Sequence, residues 1–175
     1  PMSLVNVPGA VEFLVDQIKK HGLQPEQVVI EVTESEMISG FNQFNSAIKQ
    51  LRGEGIGLAI DDFGTGNTSL SWLEKLRPDV LKIDRSFTSS VGIDSVNATV
   101  TDIIIALANR LHIVTVAEGV ETLEQENYLR SHGVDVLQGF YYARPMPVEA
   151  FPAWLASREE SESESEGEGE GETTE

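Results

Sequence analysis

The chain has 175 residues, 40% of them hydrophobic and 23% charged, which suits one domain long enough to bury a sizeable core. It has no cysteine, which excludes disulfides, zinc knuckles and thiol catalysis, and no apolar run nears the ~18 residues of a membrane span. The formal net charge is −17, with nine of the acids in residues 159–175. The rest carries −8 and has no basic stripe, which argues against binding a DNA or RNA duplex.

Taken in order, β-branched runs alternate with helical segments. Strands are predicted at Ser3–Val7, Val28–Thr33, Gly57–Asp61, Val80–Asp84, Ile113–Ala117 and Asp135–Gln138. Helices are predicted at Ala10–His21, Phe41–Gly53, Ser69–Leu76, Val96–Leu111, Leu123–His132 and Val148–Ser157. In the first helix Val11, Leu14, Val15 and Ile18 recur on one face, and Gly22 after Lys19-Lys20-His21 is a stop. Thr122 with Gln125 three residues on forms a capping box. Strict β-α alternation points to a parallel sheet covered by helices, either open and doubly wound or part of a barrel. No GxGxxG or GxxxxGK[ST] is present, which disfavours the nucleotide-binding open sheets. Residues 158–175 alternate acid with Ser or Gly and offer nothing to bury, so a disordered acidic tail is expected there, after a domain at 1–157.

Polar residues collect where the strands end. Asn6 lies near the end of the first, Glu31 and Glu34 at the second, Asp61-Asp62 at the third, Lys82 and Asp84 at the fourth. Glu118 and Glu121 follow the fifth, and Gln138 ends the sixth. In a parallel barrel all these ends open on one face, the face that carries active sites. Carboxylates converging there repel, and hard divalent cations relieve the repulsion. Asp, Glu and Asn oxygens without His or Cys suit Mg²⁺ or Mn²⁺. Each piece also has a plain structural reading. A strand-end acid is commonly a helix N-cap, Asp61-Asp62 before Phe63-Gly64-Thr65-Gly66 fits a turn, and Lys82 fits a salt bridge to Asp84 or Glu118.

Five blocks in order, Glu31-Val-Thr-Glu34, Asp61-Asp62-Phe63-Gly64-Thr65-Gly66, Leu81-Lys82-Ile83-Asp84-Arg85-Ser86-Phe87, Ala117-Glu118-Gly119-Val120-Glu121 and Gln138-Gly139-Phe140, resemble the signature blocks of EAL-domain cyclic di-GMP phosphodiesterases. The resemblance implies a TIM-like (β/α) barrel with about six of eight units present, and two-metal hydrolysis of cyclic di-GMP to linear pGpG. It implies Asn6, Glu31, Asp61, Asp62 and Glu118 as ligands of two Mg²⁺ or Mn²⁺ ions, and Lys82, Glu118 and Gln138 as groups that hold and deprotonate the attacking water. Glu34 resembles the anchor of the loop from Phe63 to Leu70. Phe63, Gly64, Thr65, Gly66, Asp84 and Glu121 support the site. It also implies a homodimer, an upstream sensory or GGDEF-type domain, and a cytoplasmic location in a parent protein that a membrane anchor could hold. The alternative is an impaired EAL module that binds cyclic di-GMP as a sensor or acts through protein contacts.

Three departures stand out. The Glu-Ala-Leu motif that names the family is absent, so the chain is expected to begin after the strand that carries the first metal ligand. The stretch from Asn6 to Glu31 is also shorter than the family pattern, and Asn67-Thr68 replaces the usual aromatic-Ser pair.

Overall fold

The computed structural model describes residues 7, 9–33, 41–65, 70–92 and 95–158, the side chains of 41–44 and 70–72 excepted. The chain divides into two compact units, Pro1–Tyr142 and Ala143–Glu175.

The first unit opens with helix α1 (Ala10–Lys20). Strands and helices then alternate: β1 (Val29–Thr33), α2 (Phe41–Gly53), β2 (Gly57–Phe63), α3 (Leu70–Leu76), β3 (Val80–Ile83), α4 (Arg85–Thr88), α5 (Val96–Leu111), β4 (Val114–Glu118), α6 (Leu123–Ser131) and β5 (Val136–Gln138). The strands pair in chain order and all in parallel, as βαβ units require. The predicted alternation is therefore present. The predicted strand Ser3–Val7 lies outside the described residues apart from Val7.

Differences from expectation sit at element ends. β2 runs two residues further than Asp61, and β4 is shifted by one residue so that it includes Glu118. β3 stops at Ile83 because Asp84 turns the chain: its carboxylate accepts from the Ser86 amide at 2.9 Å and caps α4, a helix not predicted. Asp135 precedes β5 instead of opening it, since its carboxylate accepts from the Thr115 amide (2.7 Å) and hydroxyl (2.9 Å). Asp79 does the same before β3, accepting from the Leu58 amide at 2.8 Å and pairing with Arg52 at 3.0 Å. These two aspartates tie the starts of neighbouring strands together.

The register sorts the sheet into two faces. Val32, Leu58, Ile60, Leu81, Ile83 and Ala117 are buried, and they join Ile48, Leu51, Leu73, Leu76, Phe87, Ile104, Ile105 and Leu129 from the helices in one core. Among the described residues, the opposite face carries no helix of this unit. Its N-terminal end is apolar, with Val29, Val114 and Val136 48%, 43% and 47% exposed. Its C-terminal end carries Glu31, Asp61, Lys82, Glu118 and Gln138. The capping box of α6 forms as predicted, with the Gln125 amide on the Thr122 hydroxyl (3.3 Å) and the Thr122 amide on the Gln125 side chain (3.2 Å).

In the second unit a 3₁₀ turn at Val148–Ala150 leads into a helix over 151–158, along which the Phe151 and Trp154 rings lie 5.7 Å apart, tilted by 30°. Residues 159–175, most of the expected acidic tail, lie outside the described residues.

Candidate active site

Lys82 organises the C-terminal end of the bare face. Its ammonium lies 2.8 Å from Glu118, 3.1 Å from Asp61 and 3.1 Å from Glu31, so carboxylates from β4, β2 and β1 converge on a lysine of β3. Lys82 is only 12% exposed, whereas Glu31 is 54% exposed. Burial alone would pull the ammonium's pKa down. The hydrogen bonds to Glu118, Asp61 and Glu31 outweigh it and hold the proton well above the ordinary lysine range.

A bulge brings two adjacent acids to this point. Ile60 pairs with Leu81 and Phe63 with Ile83, so Asp61 and Asp62 together stand opposite Lys82. A regular strand would send consecutive side chains to opposite faces. Here Asp62 takes a left-handed backbone, φ 56°, and its amide donates to the Asp61 carboxylate at 3.1 Å. Burial first, then repulsion by Asp61 and Asp84, pushes the Asp62 carboxyl up, and the attraction of Lys82 does not fully offset this.

The supporting residues fall into place around the pair. Phe63 is buried and ends β2. Gly64 follows with φ 96°, and a methyl there would press on the Phe87 ring and Ile104. The Thr65 hydroxyl donates to the Asp62 carbonyl at 2.8 Å. Burial raises the Asp84 carboxyl, but hydrogen bonds from Ser86 and from the Arg85 amide overcome that and hold it below the usual range. Gln138 pairs in register with Glu118 on the bare face, and its carbonyl accepts from the Val120 amide at 3.0 Å. Glu121 stands apart from the lysine cluster and takes a 2.8 Å bond from Arg85. Asn6, Glu34 and Gly66 lie outside the described residues, as do Asn67 and Thr68.

The plain readings are thus also realised: Asp84 is an N-cap, and Lys82 does bridge to Glu118. What those readings leave over is charge. Four carboxylates (Glu31, Asp61, Asp62, Glu118) share one ammonium. Among the described residues no three acids or histidines close on one point as a metal shell. The donor set nevertheless fits a divalent cation. It is all hard oxygen, three of its members already reach a single positive charge within 3.1 Å, and Asp62 is repelled by Asp61 and Asp84.

Sequence reasoning assigned no role to Arg85, Gly119 or Gly139. The signal for the first was an unlike-charge pair, Arg85 and Glu121, each just beyond the end of neighbouring strands.

Residues 2–145 match the EAL domain family. The chain belongs to the EAL family. The chain covers only part of the EAL domain of its homologues. It is 57% identical over 134 residues to the probable cyclic di-GMP phosphodiesterase PdeD of Escherichia coli K12, covering 77% of this chain and 25% of that protein. It is 42% identical over 129 residues to PdeN of the same organism, described in the same words, covering 74% and 25%. Among solved structures, the manganese and cyclic di-GMP complex of Klebsiella pneumoniae BlrP1 superposes with a TM-score of 0.77 at 43% identity, over 82% of this chain and 36% of that one. The cyclic di-GMP complex of the PaMucR phosphodiesterase superposes at 0.79 with 38% identity, over 85% and 66%. The chain thus spans about a quarter of the length of PdeD and PdeN. No helix among the described residues is long and apolar enough to cross a membrane.

Proposed function

We propose that this chain is the metal-binding part of a phosphodiesterase that opens cyclic di-GMP to linear pGpG. The observation that carries the proposal is the convergence of Glu31, Asp61 and Glu118, from three strands, on Lys82 within 3.1 Å. The family membership and the cyclic di-GMP named for its relatives supply the substrate.

Glu31, Asp61, Asp62 and Glu118, with Asn6, would hold two Mg²⁺ or Mn²⁺ ions. When bound, such ions activate a water and steady the charge on the phosphate and leaving oxygen. Against that background the chain's own groups divide the work. The bulge lets adjacent Asp61 and Asp62 face the same centre. Lys82, held among acids, would turn an N–H donor to the attacking water, in line with phosphorus, once those carboxylates hold the ions. Glu118, at the end of β4 beside Lys82, accepts the proton as the water oxygen bonds to phosphorus and the phosphorus–ribose oxygen bond breaks. Gln138, paired with Glu118, orients water and substrate. A homodimer, an upstream sensory or GGDEF-type domain and a cytoplasmic site of action belong to the same proposal.

The test is Asp61→Ala in a complete EAL domain carrying this sequence. Loss of pGpG formation with an unchanged circular dichroism spectrum supports the reading. Metal-dependent turnover by the variant contradicts it. Tight cyclic di-GMP binding by the unmutated domain with no product in either metal would assign the chain to the sensor class instead.

A further inference from the structure

The segment after Glu118 is held more tightly than a strand-end loop needs to be. Gly119 has φ 71°, and a methyl on it would fall on Cβ, Cγ and Cδ of Arg85, so the arginine stem lies directly against the Gly119 backbone. The guanidinium continues past it to Glu121 at 2.8 Å. From the other side Val120, wholly buried, donates to the Gln138 carbonyl at 3.0 Å and accepts from the Tyr141 amide at 3.0 Å. Gly139 lies so close to the Val120 peptide that any side chain there would overlap it. The Gln125 side chain takes the Glu121 amide at 2.7 Å. Three consecutive residues after Glu118 are thus fixed from α4, the end of β5 and α6.

We infer that Arg85 is a positioning residue for Glu118, acting through its aliphatic stem on Gly119 rather than through its charge. The Arg85–Glu121 pair is 62% and 42% exposed, and such pairs contribute little because water screens them. The stem contact cannot be screened. It bars the Gly119 backbone from moving toward α4, and Gly119 is bonded to Glu118, whose carboxylate must stay 2.8 Å from Lys82. Arg85 is itself three residues beyond Lys82, across the Asp84 cap. One short segment therefore sets both the lysine and the backstop of the glutamate it meets. The consequence for turnover rests on the proton-accepting role proposed for Glu118; the geometric claim does not.

The test compares Arg85→Ala with Arg85→Met in a complete EAL domain carrying this sequence. Met keeps the stem and loses the charge. The expected result is a kcat lowered roughly 10- to 100-fold in Arg85→Ala, with KM and melting temperature unchanged and Arg85→Met close to wild type. Crystals of the two variants give a readout independent of activity. The Lys82–Glu118 distance should open in Arg85→Ala and stay closed in Arg85→Met. Wild-type kcat and distance in Arg85→Ala would overturn the inference, as would an Arg85→Met variant as impaired as Arg85→Ala. If the unmutated domain releases no pGpG, the functional reading fails, and the crystal distances still decide the positioning claim.

Discussion

Lys82 donates a 2.8 Å hydrogen bond to Glu118, joining β3 to the last residue of β4 at the polar end of the bare sheet face. Asp61 and Glu31 close on the same ammonium, so removing it leaves acids facing one another without their shared counter-charge. Lys82→Met should therefore lower kcat by roughly 10²–10³-fold, while divalent cations still bind. Steady-state pGpG release and Mn²⁺ titration by calorimetry check the two halves. Turnover near wild type would mean that Lys82 is only a structural salt bridge.

The bulge at Asp61-Asp62 has its own signature. Asp62 sits at φ 56°, a region that Asp and Asn tolerate and Ala does not. Asp62→Asn and Asp62→Ala both remove the charge, yet the Ala variant should be less stable by about 1 kcal/mol. Urea unfolding of both variants measures the difference. Equal stabilities would show that the left-handed backbone carries no cost.

Much of this arrangement was legible in the sequence, for identifiable reasons. The runs Val28–Thr33 and Ile113–Ala117 are β-branched and short, and each leads into a helix-forming segment. Parallel topology then brings Glu31, Asp61, Lys82 and Glu118 to one end. The bulge was not legible, because the period-2 rule sends Asp61 and Asp62 to opposite faces and no local residue marks the exception. Helix α4 has four residues, too few for a periodic signal, so Asp84 read as a site acid before it read as a cap. Arg85 and Glu121 are 36 residues apart, and only the β3–β4 pairing makes them neighbours.

Thr88 supplies a stability prediction away from the chemistry. Its side chain is fully buried and its hydroxyl finds no hydrogen-bond partner among the described residues. Thr88→Val swaps that hydroxyl for a methyl of similar shape and should stabilise the fold by up to ~1 kcal/mol. A lowered melting temperature would reveal a partner for the hydroxyl.

Glu126 gives a pH dependence. Burial pushes its carboxyl up, but the Arg130 guanidinium at 3.0 Å and the Tyr142 hydroxyl at 2.9 Å outweigh that and hold it below the usual glutamate range. A depressed folded-state pKa contributes stability above the unfolded value of about 4.3, and this is lost as pH falls through the folded value. Glu126→Gln should cost roughly 0.5–1 kcal/mol at neutral pH, reduced by solvent screening, and nothing once both forms are protonated. Denaturant melts of both proteins from neutral to strongly acidic pH test the sign. A constant or growing gap toward low pH would contradict it.

The proposed cyclic di-GMP phosphodiesterase rests on acids from three strands gathered on Lys82. The most direct measurement is pGpG release from cyclic di-GMP by a complete EAL domain carrying this sequence, with Mg²⁺, with Mn²⁺ and with both removed by chelation. Linear pGpG with either metal and none after chelation is the expected result. Cyclic di-GMP recovered intact under every condition, from a domain that is folded and binds it, would rule out phosphodiesterase activity.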